Sequence, residues 1–283
     1  MKNQLFFLLI SIFSAQAQDK TNALLWKISG NHTSKPSYIF GTMHLICSSD
    51  FVLSDSLKTA FGKSEQVVME LDMDDPTMMT SMQEVMFMKN GKNLKNLLNE
   101  PDYKTVNQYF KDSVGMGLEL FSTIKPAMLI SILYPKLFGC EPQSYEMSFM
   151  QMAKTQHKEI LGLEGFKEQA AIFDSIPYNL QAQQVVEMIK NIPKTRAELR
   201  KGVEFYKKQD LAGLMRWSEA DESGFKDYEK ILLKDRNKNW ISKITNYSEQ
   251  KSTFFAVGAA HLGGENGVIR LLQKQGFKVE PIR

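Results

Sequence analysis

Two histidines of this sequence stand in the same short frame, one near each end of the chain. His44 ends the segment YIFGTMH and His261 ends FFAVGAAH, so each follows an apolar run and a Gly-x-x spacing. The chain has four histidines in all. Because an imidazole can act as acid, base or metal ligand near neutral pH, this repeated frame is the first candidate for chemistry.

Glu70 is the third candidate, since it lies inside the apolar segment VVMELD. A carboxylate in an apolar strand is costly unless it is paired or bound to a metal. Two histidines and one carboxylate suit a divalent metal ion. They equally suit a metal-free acid–base pair, and each residue alone is also explained by an ordinary structural hydrogen bond or salt bridge. The spacing does not decide between these readings, because the compact patterns H-E-x-x-H and C-x-x-C do not occur.

The elements that would position these residues begin with strands. A hairpin is predicted where LLWKISG and SYIFGTMH flank the turn-rich segment NHTSKP. A short helix follows in SDSLKTAFGKS with Ser54 as its N-cap, and QVVMELD is the next strand. Ligands of α/β sheets bind outside the carboxyl ends of strands, so we expect both histidines and Glu70 at one rim.

The middle of the chain, from Pro76 to about Glu249, has apolar residues at spacings of three and four and is predicted to be mostly helical. Pro76 is expected in the first turn of a methionine-rich helix, and one strand, KEILGLE, ends at Glu164. The C-terminus returns to strand, helix and strand. The predicted fold class is therefore α/β (α+β), with a central mixed sheet built from N- and C-terminal strands. We expect residues from about 76 to 250 to form a large, mostly helical insertion and residues 18–283 to form one domain.

The first 17 residues are predicted to be a signal peptide, with Lys2, a short apolar run and an Ala-x-Ala cleavage frame. A retained N-terminal anchor is the alternative. The other long apolar segment, PAMLISILYPKLF, is too short between its prolines to span a bilayer and is predicted to be a buried helix. We therefore expect an exported protein, periplasmic or secreted, with no stable membrane span in the mature chain.

Charge and cysteine content narrow the choice of partners. The net charge is +3, and the sequence has no basic stripe with interleaved aromatic residues, so nucleic acid is not an expected partner. The two cysteines, Cys47 and Cys140, allow one pairing, and export allows the disulfide to form. A Cys47–Cys140 bridge would brace the loop behind His44, while two separate buried thiols are the alternative.

Several segments together resemble the TraB/GumN family, which is related to the TIKI proteases. The resemblance lies in YIFGTMHL, VVMELD, ILGLEGFKEQAAIF, LLKDRNKNW and FFAVGAAHLGGENGVIRLLQKQGFKVEPI, and it covers nearly all of the mature chain. It implies a mixed sheet surrounded by helices. It also implies a hydrolase site in which His44, Glu70 and His261 hold a divalent cation (Mn, Co or Zn), with Glu70 also catalytic. The implied substrate is a peptide or a small molecule.

The segment LLKDRNKNW adds Arg236, Asn237 and Asn239 as family-like candidates. Arg236 could clamp a carboxylate, or Arg236 and Asn237 could support a developing oxyanion; a surface salt bridge is the alternative for Arg236. Glu164 and Asn239 are expected to support the site from behind its ligands; a fourth site carboxylate and a helix-start charge are the alternatives for Glu164. Glu146 stands where family members more often have aspartate after a glycine, so the resemblance assigns it no role.

The function predicted from these residues is an exported, divalent-metal-dependent hydrolase of the peptidase type. One alternative is a metal-free, esterase-like hydrolase in which a histidine oriented by Glu70 activates water. Another is a periplasmic protein that binds a peptide, haem or iron without turnover. The two remaining histidines, His32 and His157, lie in polar segments and are expected to be exposed and without function.

Overall fold

The structure, a computed structural model, describes residues 22–220 and 226–283. The predicted signal peptide, residues 1–17, lies outside this part of the chain. Among the residues described, none of the helices is both long enough and apolar enough to cross a membrane.

A six-stranded mixed sheet forms the centre of the fold, as predicted. Its strands occur in the order β6-β4-β7-β2-β1-β8, so the C-terminal strand β7 lies between two N-terminal strands. A separate two-stranded sheet pairs β3 with β5. The strands are β1 (Leu25–Ser29), β2 (Ser37–Thr42), β3 (Ile46–Cys47), β4 (Gln66–Leu71), β5 (Pro142–Gln143), β6 (Glu159–Glu164), β7 (Thr253–Gly258) and β8 (Lys278–Ile282).

The four neighbouring strands β6, β4, β7 and β2 run parallel, whereas β1 is antiparallel to both β2 and β8. The predicted hairpin is therefore confirmed as β1–β2. Apolar clusters cover both faces of the sheet, which explains why β2, β4 and β7 read as nearly continuous apolar runs. Parallel strands end at the same edge, so the residues that follow them meet there.

Helices surround the sheet and fill most of the chain between β4 and β7. They are α1 (Asp55–Lys63), α2 (Met78–Val85), α3 (Leu94–Leu97), α4 (Glu100–Val114), α5 (Pro126–Phe138), α6 (Tyr145–Thr155), α7 (Phe166–Asp174), α8 (Tyr178–Lys190), α9 (Ile192–Lys207), α10 (Leu211–Glu219), α11 (Asp235–Gln250) and α12 (Val268–Lys274). Helices α3, α4, α5 and α8 share an apolar cluster of their own, beside the two clusters on the sheet. The predicted buried helix PAMLISILYPKLF is confirmed as α5.

Two predicted helix starts had different outcomes. Ser54 caps α1 as predicted, because its hydroxyl accepts the Leu57 N–H. The placement of Pro76 in the first turn of α2 was wrong, since that helix begins at Met78. The carboxylate of Asp75 accepts both the N–H and the O–H of Thr77, at 2.7 and 2.8 Å, and this local turn keeps Pro76 outside the helix.

The predicted disulfide is present between Cys47 and Cys140, which are 93 residues apart in the sequence. It joins β3 to the residues just before β5, and β3 and β5 also pair through their backbones. Because β3 follows His44 closely and β5 precedes α6, the bridge ties two distant segments to the same rim of the sheet.

Candidate active site

The carboxyl ends of the parallel strands bring four of the predicted site residues to one rim. Glu70 lies in β4 and Glu164 ends β6. His261 lies in a single 3-10 turn directly after β7, and His44 follows the end of β2. Since β4, β6, β7 and β2 are neighbours in the sheet, residues from both ends of the chain share this rim.

Gly258 is the point around which the two histidines and Glu70 gather. A side chain built at this glycine would meet Glu70 Oε1 at 3.3 Å, His44 Nε2 at 3.6 Å and His261 Cδ2 at 3.6 Å. The Gly258 N–H donates to Glu70 Oε1 at 2.8 Å, and His261 Nε2 lies 3.8 Å from the same oxygen. The structure thus brings together the three residues that the sequence selected.

The two glycines of the repeated frame, Gly41 and Gly258, have different structural roles. Gly41 lies opposite Val257 on β7. A Cβ at Gly41 would lie 2.7 Å from Leu262 Cδ1 and 3.0 Å from Ala259 Cα. Gly41 therefore lets β2 press against the turn that carries His261, whereas Gly258 leaves open space between the functional groups.

Arg236, on α11, forms hydrogen bonds to the three buried site residues Glu70, Glu164 and His261. Its side chain is only 12% exposed. One terminal nitrogen donates to Glu70 Oε2 at 2.6 Å and to Glu164, and Nε donates to the two Glu164 oxygens at 3.1 and 3.2 Å. The other terminal nitrogen donates to the Leu232 carbonyl at 3.0 Å and to His261 Nε2 at 3.1 Å. A guanidinium has five N–H donors, and here each has a protein partner.

His261 is buried, and its neighbours fix its tautomer. Its Nδ1 lies 2.6 Å from Asn237 Oδ1, while the Asn237 amide nitrogen donates to the Asn266 carbonyl at 2.9 Å. Asn237 Oδ1 therefore accepts, Nδ1 carries the proton, and Nε2 is left with the lone pair that accepts from Arg236. Burial lowers the pKa of His261 to about 3, in spite of the opposing charge of Glu70. The imidazole is thus neutral at pH 7.

Glu70 is ionised in this setting. Burial favours its neutral form, but the adjoining groups His261, His44 and Arg236 and the Gly258 N–H outweigh that penalty and lower the pKa of Glu70 to about 2. Because His261 is neutral at pH 7, we take the buried guanidinium of Arg236 as the main counter-charge of this carboxylate.

Glu164, which was expected to support the site from behind, is buried and shares Arg236 with Glu70. Its side chain is 4% exposed. Besides Arg236, it accepts hydrogen bonds from Trp240 Nε1 at 3.2 Å and from Gln169 at 3.0 Å. The same Gln169 amide reaches Glu70 at 3.4 Å, so a single network links the two carboxylates.

His44 is the solvent-facing member of the site, with a side chain that is 68% exposed. Its Nδ1 lies 2.9 Å from Glu146 Oε1. Desolvation by the surrounding protein lowers the pKa of His44. The hydrogen bond to Glu146 and the charges of Glu70 and Glu146 raise it by more, so that the pKa lies at about 9. Solvent screens part of this attraction because the ring is so exposed. Nε2 lies 3.6 Å from the position of a Cβ at Gly258, on the side where Glu70 and His261 gather.

Glu146 is a residue of this cluster to which the sequence assigned no role. Besides holding His44, its carboxylate accepts the Thr42 hydroxyl at 2.6 Å and the Ser144 hydroxyl at 2.8 Å. Its only local signal is an acidic residue in the first turn of a helix, and that position is common for purely electrostatic reasons. The contact with His44 spans 102 residues of sequence.

The remaining predicted residues lie at different distances from this cluster. Asn237 is inside it and buried, whereas Asn239, three residues after Arg236, is exposed and takes part in none of the site contacts described above. His32 and His157 are exposed, as predicted, and both adopt positive φ angles, of 67° and 53°.

The donor types around Gly258 fit a divalent cation. Both imidazoles are held through Nδ1 by an oxygen of a neighbour, the arrangement that orients metal-binding histidines. Glu70 Oε1 accepts only the Gly258 N–H in this network and so keeps a lone pair. Two features differ from an assembled metal site. Arg236 donates to His261 Nε2, and within residues 22–220 and 226–283 no three His, Cys, Asp or Glu side chains are gathered closely enough to hold an ion as they stand.

Gly162 provides a test of the strand spacing on which this site depends. A Cβ at Gly162 would lie 2.6 Å from the Asp72 backbone nitrogen and 3.2 Å from the Leu71 carbonyl carbon. We expect Gly162→Ala to push β6 away from β4 and to destabilise the fold by about 1–3 kcal/mol. Gly62→Ala is the control, since a Cβ at this position in α1 meets nothing within 4 Å. Alanine should stabilise that helix by about 0.5–1 kcal/mol relative to glycine. Equal urea midpoints for the two variants would show that the strand spacing tolerates a side chain.

Comparison with known proteins gives one family and a group of named relatives. The sequence model of the TraB/PrgY/gumN family matches residues 24–281. "Metalloprotease TIKI2" of Danio rerio is 23% identical, and the match covers 93% of this chain and 62% of the relative. "Metalloprotease TIKI1" of Xenopus tropicalis is 25% identical, and that of Homo sapiens 23%, each again covering 93% of this chain and 62% of the relative. The chain thus spans 62% of the length of these relatives. No solved structure matches it.

Proposed function

Because this chain belongs to the TraB/PrgY/gumN family, we propose that it is a peptidase-like hydrolase that depends on a divalent metal ion. The observation that carries the proposal is the convergence of His44, Glu70 and His261 around Gly258. The printed names of its relatives, metalloproteases, favour cleavage of a peptide over other hydrolytic reactions.

In this proposal His44, Glu70 and His261 would hold the cation. When bound, a divalent cation supplies Lewis-acid polarisation of a carbonyl oxygen and makes a coordinated water more acidic. Mn, Co and Zn are the candidate ions, since all three accept a mixed set of imidazole and carboxylate ligands. His261 Nε2 would exchange its hydrogen bond from Arg236 for this role.

Arg236 and Asn237 are positioning residues in our assignment, which revises the sequence-based expectation that they support an oxyanion. Every N–H of Arg236 already has a protein partner, and both ends of the Asn237 amide are occupied. Arg236 keeps Glu70 ionised and in place, while Asn237 selects the tautomer of His261. Glu146 has the corresponding role for His44.

A metal-free hydrolase is the second candidate, and the contact between His44 and Glu146 favours it. A carboxylate at 2.9 Å from Nδ1 is the geometry that orients a histidine as general base toward water, and with its pKa raised to about 9 His44 would act in this way only at alkaline pH. Activity that survives exhaustive chelation would support this reaction. Tight stoichiometric binding of a peptide, haem or iron without turnover would instead favour the non-enzymatic binding protein.

Export remains part of the proposal, with the protein periplasmic or secreted. The Cys47–Cys140 disulfide supports it, because such bonds persist in oxidising compartments and are rare in the cytosol. The cleavage of residues 1–17 and the single-domain organisation of residues 18–283 stay predictions.

A matched set of four histidine variants tests the proposed function. We expect His44→Asn and His261→Asn to lose metal and to lower the kcat/KM for a peptide library by roughly a hundredfold or more. His32→Asn and His157→Asn should keep wild-type values, because both side chains are exposed and asparagine tolerates their positive φ angles. Metal content by mass spectrometry and cleavage of fluorogenic peptides are the measurements. If all four variants behave alike, the site assignment is wrong.

A further inference from the structure

A groove of about 650 Å³ opens directly beside His44. It runs over β5 and the first turns of α6. Its lining contains apolar and uncharged hydrogen-bonding side chains and no charged residue. The lining residues are Leu45, Pro142, Gln143, Ser144, Met147, Ser148 and Gln151.

The groove adjoins the candidate active site through two of its lining residues. Leu45 is the residue after His44. Ser144, also in the lining, donates its hydroxyl to Glu146, the carboxylate that holds the His44 ring. The groove therefore lies next to the residues that carry and orient His44.

Strand β5, which lies in the lining of the groove, offers an edge along which an extended chain could lie. Strand β5 pairs with β3 on one side, and in the described part of the chain no strand pairs with its other side. Extended peptides commonly bind by lying alongside such a strand, with backbone hydrogen bonds for affinity and side-chain pockets for specificity. Met147, whose side chain adapts to irregular partners, is 51% exposed above the groove.

We propose that this groove binds an uncharged, extended stretch of the peptide substrate next to the bond that is cut. Its apolar side chains would pack on Met147, Pro142 and Leu45, while Gln143 and Ser148 would serve its polar groups. A charged substrate side chain would find no counter-charge in this lining and would lose its hydration. The proposal rests on the proposed peptidase function for the cleavage step, but the binding step can be tested by itself.

The test compares Met147→Lys with Met116→Lys, since Met116 is an exposed methionine outside the groove. Two fluorescein-labelled peptide libraries serve as probes. One contains only Ala, Leu, Met, Gln and Ser, and the other also contains Asp, Glu, Lys and Arg. We expect Met147→Lys to bind the uncharged library about tenfold more weakly by fluorescence anisotropy, with Met116→Lys unchanged. Met147→Leu should bind the uncharged library like the wild type. In cleavage assays of Met147→Lys, KM should rise while kcat changes little.

The outcomes separate this proposal from the proposed function. If the wild type binds the uncharged library and Met147→Lys does not, the groove proposal is supported, whether or not any peptide is cleaved. A complete lack of cleavage would count against the proposed peptidase function alone. Cleavage with equal KM values in the two lysine variants would overturn the groove and leave the peptidase standing. Wild-type protein that binds neither library, or both equally well, also overturns the groove.

Discussion

Replacing Arg236 with methionine is expected to destabilise the fold by about 3–5 kcal/mol, as is typical when one partner of a buried ion pair is removed. The guanidinium is the cationic partner of two buried carboxylates, those of Glu70 and Glu164. Without it, both carboxylates would stay buried and lose the cation that they share, and only the solvent-exposed His44 would act on Glu70 as a further positive group. A loss of this size is a large fraction of the total stability of an ordinary domain. Urea unfolding followed by circular dichroism measures it.

A charge-neutral combination separates electrostatics from packing. In Glu70→Gln/Glu164→Gln/Arg236→Met no buried ionised group of this trio remains, so we expect most of the lost stability to return. Activity should not return, because Glu70 is a proposed metal ligand. Lys251→Met is the surface control, since Lys251 forms an exposed pair with Glu159 at 3.4 Å and should change stability by less than about 1 kcal/mol. If Arg236→Met is as stable as this control, the guanidinium does not hold the site together.

The part of the site that the sequence predicted depends on local patterns. Each histidine follows an apolar strand, and Glu70 interrupts one, so periodicity locates all three. The rule that parallel strands meet at their carboxyl ends then places them at one rim. The mixed sheet with strands from both chain ends follows from the same patterns, and in the structure β7 pairs with the N-terminal strands β4 and β2.

The part that the sequence did not predict depends on contacts between distant residues. Arg236 meets Glu164 across 72 residues and Glu70 across 166, and no local spacing marks such a clamp. The sequence selected Arg236 and Asn237 as candidates, but it could not show that their hydrogen-bonding groups are already engaged by protein partners. Glu146 was assigned no role for the same reason, since only the fold brings the start of α6 to His44. The misplaced start of α2 depends on one side-chain turn at Asp75 that competes with the helix.

Removing the disulfide is expected to cost about 4–5 kcal/mol in the Cys47→Ala/Cys140→Ala variant. The bond closes a segment of 93 residues, and in the chain-entropy model a loop of this length gives a stabilisation of that size. Urea unfolding of the wild type with and without reductant should show the same loss. The double variant is its own control, because reductant should leave its midpoint unchanged. A wild-type midpoint that does not respond to complete reduction would contradict the prediction.

The same variant should also lose activity under conditions where it is still folded. Cys47 lies three residues after His44, and Cys140 lies six residues before Glu146, so the bond joins the two segments that carry this pair. Without it, hydrogen bonds alone join these segments: the two-residue pairing of β3 with β5 and the contacts of Glu146 with Thr42 and His44. The imidazole would then be oriented less well, and the groove over β5 would be less ordered. We therefore expect kcat/KM to fall by about 10–100-fold, the effect typical of losing a residue that orients a metal ligand. Wild-type kcat/KM in the folded, reduced protein would show that the hydrogen bonds of Glu146 suffice to hold His44 without the covalent link.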